Sequence, residues 1–445
     1  MVNLNETPTA GRLSSFHHYG WAIVGMATAL QLSTNFISQA FSILIVVLRE
    51  DYGWSLAAIG FAYVLRSLVS AVLAPVVGWI GDRHGTRRSL LLAGGLYVTG
   101  LLLLSTMDSL WQLYLYYSVI LGLAQAIFRV NVPTTVAAWF KKRLGLAVGI
   151  QQSAGGMGSS VMAPALALLL SRTDWQTAFW ILPAVMGTIV LTTIMFFKGD
   201  PSERGQTPYG ATENDPPPPP TSNPEVTKLR SQVFLRQARR TSEFWNLIAI
   251  HHLGCIGHSI IMVWAVPHAK DVGVSLQAAA FIISIYALTS AASRFATPVL
   301  ADIWGAKWVM ALAYAIQGLT VILLFWAQEP WQFYVFAALF GIGLGGEMSA
   351  FMVIDRQYYG MGPIRTIFGF QTMSSGLGMA LGAQLGGVIH DIFDSYNIAW
   401  IISIATSLGG ASCILLLRST TRVLIPDWEE SLPPEARTPD PVASG

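Results

Sequence analysis

Long, uninterrupted runs of apolar residues separated by short polar intervals dominate the chain. Twelve such runs begin near Gly20, Leu56, Ser89, Trp111, Leu144, Thr177, Glu243, Leu276, Trp308, Trp331, Thr366 and Ile398. A helix that crosses the hydrocarbon core of a bilayer needs about 20 mostly apolar residues, and only helices or closed barrels satisfy every backbone group in lipid. Barrel strands would read as segments of alternating polarity; these runs are continuous. The pattern therefore predicts an all-α membrane protein with twelve transmembrane helices. The first run is too long for the apolar region of a cleaved signal peptide and is expected to remain as an anchor.

The polar intervals differ in charge from one side to the other. Twenty of the 26 Lys and Arg residues fall on the side of the N-terminus, three on the other side (Arg49, Arg172, Lys270), and three inside runs. The positive-inside rule then places both termini in the cytoplasm. The interval 199–242 breaks the alternation with a run of prolines that favours extended polyproline II, and it ends in VTKLRSQVFLRQARRTSEFW, which reads as a helix lying on the membrane surface. The expected layout is a tail (1–18), a six-helix bundle (19–198), a linker (199–242), a second six-helix bundle (243–417) and a tail (418–445).

The second bundle repeats the first. A shift of 220 residues superposes Gly53 and Ser55 on Gly273 and Ser275, and Asp82, Gly85 and Arg87 on Asp302, Gly305 and Lys307. It also matches WQLY at 111–114 with WQFY at 331–334, Gly149 and Gln151 with Gly369 and Gln371, Asp174 with Asp394, and Trp180 with Trp400. The two six-helix bundles are thus expected to be pseudo-symmetric.

Composition narrows the chemistry. The 445 residues are 53% hydrophobic and 11% charged, against about 25% charged in soluble domains, which excludes a soluble enzyme or a nucleic-acid binder. No P-loop is present. Cys255 and Cys413 are both within apolar runs, with no CxxC and no metal-ligand spacing, so no metal or cofactor is expected.

Charges inside spans are costly. An Arg at a span centre costs about 2.5 to 3.5 kcal/mol on insertion scales, so Arg66 (second span), Arg129 (fourth) and Arg294 (eighth) must face water or a partner. Counted at about 1.5 Å per residue, Arg129, Arg294 and Glu347 (tenth span) belong near the midplane, whereas Arg66 belongs nearer the outer mouth. Arg129 and Glu347 are one possible ion pair between the bundles. Polar stripes accompany these charges: Thr28, Gln31, Asn35, Ser38 and Ser42 with Gln39 at the edge, then Ser118, Gln125 and Arg129, then Tyr286, Ser290, Arg294 and Thr297, and finally His251 and His258 with His252 beside them. A wet pathway lined by these faces is predicted, with substrate contacts at Arg294, Arg129, Arg66, Asn35, Gln39, Gln125 and Ser290. Glu347, His258 and His252 are candidates to carry a proton. Arg49 and Asp355 sit near span ends, where snorkelling explains them.

With its twin bundles and the loop GWIGDRHGTRR between the second and third spans, the chain resembles the major facilitator superfamily. The matching positions are Gly78, Asp82, Arg83, Gly85, Arg87 and Arg88, echoed by Asp302 and Lys307 in ADIWGAK. These residues are expected to form a conformational latch, the charges holding the ends of neighbouring helices. Within the superfamily, YGWAIVGMA at 19–27, Arg294, and GLGGEMSAFMVIDRQYYG at 344–360 resemble the monocarboxylate transporters and the bacterial oxalate:formate antiporter group. In that resemblance Arg294 is the carboxylate-binding arginine. Gln39 stands where animal carriers have a lysine and Ser290 where they have an acid, and the eleventh span lacks the oxalate carrier's lysine, all of which counts against the animal coupling mechanism and against oxalate.

Three arginines against one carboxylate favour small organic anions, since guanidinium forks match carboxylates. The expected activity is secondary transport of monocarboxylates across the plasma membrane by alternating access, by a monomer, with a proton or a counter-anion as partner. An efflux carrier of the same superfamily and, further off, a non-transporting membrane sensor are the alternatives.

Overall fold

The computed structural model describes residues 18–155, 169, 173–212 and 224–438. The helices are α1 Tyr19–Tyr52, α2 Leu56–His84, α3 Thr86–Ser105, α4 Leu110–Trp139, α5 described over 144–155, and α6 Trp175–Phe196. After the linker come α7 Pro224–Ala238, α8 Ser242–Asp271, α9 Leu276–Trp304, α10 Ala306–Phe325, α11 Pro330–Tyr359, α12 Arg365–Phe393 and α13 Asn397–Leu416. Eight of these are long and apolar enough to cross a membrane by length and composition, among the described residues. The 34-residue α1 and the 29-residue α9 and α12 also have the length of a span, and the count of twelve rests on including them and α5. Exposed tryptophans such as Trp111, Trp180, Trp308, Trp326 and Trp331 suit a molecule whose outer surface meets lipid and its interfaces.

The repeat identities have local physical causes. Gln112 Oε1 accepts from the backbone N–H groups of Asp108 and Ser109 at 2.7 and 3.1 Å, and Gln332 accepts from those of Gln328 and Glu329 at 2.7 and 2.9 Å. Each WQ pair thus starts a helix by satisfying donors that have no partner in the first turn. The tyrosine two residues later ties each helix to its neighbour, Tyr114 to the carbonyl of Ala58 at 3.0 Å and Tyr334 to that of Ala278 at 3.1 Å. Gly85 and Gly305 turn the chain between paired helices at φ of +83° and +87°, a conformation open to glycine at little cost.

The two bundles meet through glycines at equivalent places. A β-carbon on Gly149 of α5 would lie 2.6 Å from the carbonyl oxygen of Phe295 on α9, and one on Gly369 of α12 would lie 2.5 Å from that of Ala74 on α2. Absence of a side chain is what allows the backbones to approach so closely.

Two features depart from the sequence expectation. Helix α4 contains a π-helical stretch over Tyr114–Ile120, which rotates the following residues relative to a regular helix. Helix α7 does not offer its apolar face to lipid, because Phe234 is fully buried against Tyr359 and Trp428. Its Arg230 donates to Glu429, to the Ala436 carbonyl at 2.6 Å and to Thr438 at 3.3 Å, so α7 clasps the C-terminal segment. Burial pushes the Glu429 carboxyl up, but the bonds from Arg230 and Thr438 outweigh it and hold the group below its ordinary value. The linker start docks on the first bundle instead: Tyr209 N donates to the Trp139 carbonyl at 2.8 Å, and its ring packs on His18, Trp21 and Phe140. The proline run and the tail 1–17 lie outside the described residues.

Candidate functional site

Two constellations contain the predicted site residues, one at the face that bears the basic loops and one within the membrane. At the basic face, Asp82 ends α2 as a fully buried carboxylate. It accepts from the backbone N–H of Thr366 at 2.9 Å and from its hydroxyl at 2.7 Å, and lies 3.5 Å from the Arg365 guanidinium. These are the first residues of α12, in the other bundle, so a carboxylate of one half caps and neutralises the helix start of the other. The repeat supplies the counterpart: Asp302, at the end of α9, accepts from Gly145 N at the start of α5 at 2.6 Å.

The remaining loop residues divide differently from the expectation. Gly78 is needed for close approach, since a β-carbon there would meet the Arg365 carbonyl at 2.5 Å. Arg83 stacks over Trp79 with 5.3 Å to the ring centroid. Arg87 and Arg88 are exposed and make no ion pair among the described residues; the inter-bundle cation is Arg365, which the sequence pattern did not single out. Lys307 donates to the Leu417 carbonyl at the end of α13, within its own half. Arg365 and Thr366 carried no signal because position 220 residues earlier reads Gly145, so the repeat shows no identity there.

Within the membrane, Arg294 on α9 is half-buried. Its Nε donates to Ser290 Oγ at 3.3 Å and its Nη2 contacts Met348 Sδ at 3.0 Å, leaving no carboxylate partner among the described residues. Arg129 on α4 is likewise half-buried and forms no salt bridge among the described residues. Gln125 and Asn35 are also half-buried, while Gln31 of α1 accepts from Gln151 of α5. The side chain of Gln39 lies outside the described residues.

Three expectations change. Arg66 is only 2% exposed, donates to Tyr117 Oη at 3.0 Å and lies over that ring; it is held inside the first bundle by an aromatic partner, on the π-helical stretch, that sequence spacing did not reveal. Glu347 does not pair with Arg129: its Oε2 lies 3.0 Å from His258 Nδ1, and both side chains are fully buried. Asp355 is not a snorkelling group at a span end but a wholly buried one that accepts from Gln371 at 2.8 Å. His252 is tied to the Ser374 carbonyl at 2.9 Å, and His251 stacks on Phe351 at 3.8 Å. The absence of metal-ligand spacing in the sequence also needs qualification, because α8 and α11 bring ligand atoms of Cys255, His258 and Glu347 within 4.8 Å of one another. His258 and Glu347 already satisfy each other there.

Comparison with known proteins matches this architecture. The profile of the Major Facilitator Superfamily covers residues 23–268 and 247–442. Monocarboxylate transporter 12 of Rattus norvegicus is 25% identical over 401 residues, 86% of this chain and 82% of the relative, and human monocarboxylate transporter 11 is 25% identical over 88% and 82%. Monocarboxylate transporter 13 of Rattus norvegicus is 24% identical over 98% and 99%. Among solved structures, a bacterial homologue of the iron transporter ferroportin in an outward-facing state, with soaked iron, superposes with a TM-score of 0.65 at 12% identity, covering 88% of this chain and 98% of that one; this likeness concerns the fold alone. The chain belongs to the major facilitator superfamily: it is a multi-pass membrane transporter for a small molecule, and not an enzyme.

Proposed function

We propose that this transporter carries small organic anions, monocarboxylates foremost, across the plasma membrane by alternating access, with both termini and the basic face in the cytoplasm. One observation supports the anion reading above the others: Arg129 and Arg294, one from each bundle, are half-buried and form no salt bridge among the described residues. A guanidinium group at membrane depth that forms no salt bridge is stabilised by a bound carboxylate, which it holds through two parallel hydrogen bonds. The relatives named as monocarboxylate transporters support the same cargo.

Entry of a monoanion into a negative-inside cell is opposed by about 2.3 kcal/mol per 100 mV, and a co-transported proton removes that penalty. His258 and Glu347, in contact at 3.0 Å, form the proton carrier in this reading. Exchange against a counter-anion is the other way to balance charge. The Asp82 and Asp302 contacts hold the cytoplasmic side closed, and the halves rock as these contacts break. The transporter works as a monomer.

Uptake of labelled lactate, pyruvate, formate, oxalate and succinate into proteoliposomes, with and without a protonophore, tests the proposal. Arg294→Ala is expected to abolish uptake of the monocarboxylates while the protein still inserts. Uptake at the parent level would remove Arg294 as the anchor and with it the anion reading. Protonophore sensitivity separates symport from exchange.

A further inference from the structure

Where the two bundles meet at the basic face, the chain forms two adjoining open clefts of about 460 and 550 Å³, within the range of small-ligand sites. Both are lined by Lys141, Arg356, Gly360 and Met361, so they form one seam. Its walls come from different halves. The loop after α4 and the docked linker start belong to the first bundle, whereas the ends of α9 and α11, helix α7 and the clasped C-terminal segment belong to the second.

Among the described residues, the seam is lined by more cations than carboxylates. Its cations are Lys141, Lys142, Arg143, Arg230, Arg356 and Arg365. Each carboxylate in the lining is already engaged: Asp82 with Thr366 and Arg365, Asp302 with Gly145, Glu429 with Arg230 and Thr438, and Asp200 with Ser202. Lys142 and Arg143 are exposed and, like Arg356, form no salt bridge among the described residues, although Asp355, Asp200 and Asp82 act on Arg356 from further away. Arg356 instead donates through Nη1 to the carbonyls of Gly360 and Gly362 at 2.9 and 3.0 Å. The Nε atoms of Arg356 and Arg365, two residues of the lining, make no hydrogen bond among the described residues. Cations in a cavity lining that form no salt bridge suit an occupant with acceptor oxygens.

We propose that this seam binds a phosphate-bearing polyanion, free or carried on a lipid headgroup, and that its occupancy holds the cytoplasmic side shut. A single carboxylate at so exposed a place gains little over its hydration. A phosphate group has several acceptor oxygens and more than one charge, so it can engage several of these donors at once. Because the walls belong to both halves, separating the bundles would dismantle the site. A ligand that binds only the closed form stabilises that form, and transport slows as a result.

The test uses the full chain in phosphatidylcholine nanodiscs without carboxylate, so that its failure leaves the cargo reading untouched. Sodium pyrophosphate is titrated by calorimetry, with sodium acetate of equal ionic strength as the control for screening. The second arm adds phosphatidic acid to the nanodisc and measures the distance between spin labels on Arg88→Cys and Leu416→Cys. Saturable pyrophosphate binding identifies a free ligand; a shortened label distance with phosphatidic acid identifies a lipid headgroup. In either case Lys142→Gln with Arg143→Asn must weaken the effect at least tenfold, whereas Arg422→Gln, outside the seam, must not. Asparagine suits position 143 because Arg143 has φ of +57°, which asparagine tolerates. No response in either arm, or a response that the double variant leaves intact, overturns the proposal.

Discussion

Thr366→Val isolates one hydrogen bond of the inter-bundle latch while leaving shape nearly unchanged. The Thr366 hydroxyl donates to the fully buried Asp82 carboxylate at 2.7 Å, and its backbone N–H at 2.9 Å is retained in the variant. A hydrogen bond to a charged group contributes about 1.5 to 3 kcal/mol, and a buried acceptor left short of a donor bears the full cost. At 1.4 kcal/mol per factor of ten, the closed state should lose a factor of about 10 to 100 relative to the state in which Asp82 meets water. The sign is safer here than for Asp82→Asn, which removes the carboxylate's burial cost together with its bonds. Pulsed electron spin resonance between labels on Arg88→Cys and Leu416→Cys, in a Cys413→Ser background with the buried Cys255 left in place, reads the populations directly. A long-distance population should grow in Thr366→Val. In an Asp82→Asn background the same substitution should act more weakly, because the acceptor is then neutral. An unchanged distance distribution in Thr366→Val, with the helical content intact, would refute the latch reasoning.

Other consequences follow from the same contacts. Glu347→Gln should leave monocarboxylate exchange measurable but abolish uphill, protonophore-sensitive uptake; retained uphill uptake would remove this pair as the proton carrier. His258→Ala strands a buried carboxylate, which typically costs about 3 to 5 kcal/mol, so its melting temperature should fall clearly below that of Glu347→Gln, and equal melting would contradict a charged pair. Gly369→Ala places a β-carbon 2.5 Å from the Ala74 carbonyl oxygen, and should shift the label populations toward the open cytoplasmic side; the parent distribution would show that α2 and α12 have slack. For the tail clasp, the Glu429 carboxyl is held below its ordinary value of 4.5, so its contribution is present above that value and is lost as pH falls through the lower, folded one. Limited proteolysis of the C-terminal segment should therefore quicken only in strongly acidic buffer, and Glu429→Gln should remove that pH step.

The sequence by itself determined the helices, the repeat and the charges that required an explanation. Apolar runs report on lipid directly, because a backbone in hydrocarbon has few ways to satisfy itself, and the 220-residue repeat preserves residues with local duties such as the capping Gln112 and Gln332 and the turning Gly85 and Gly305. Partners were another matter. That Arg66 is held by Tyr117, Glu347 by His258, Asp355 by Gln371 and Asp82 by the start of α12 depends on how helices distant in the chain are rotated and stacked, including the π-helical stretch in α4. Spacing along one helix fixes which residues share a face. Only the packing of helices against each other decides what that face meets, and so which guanidinium groups are neutralised and which, as at Arg129 and Arg294, have no carboxylate beside them among the described residues.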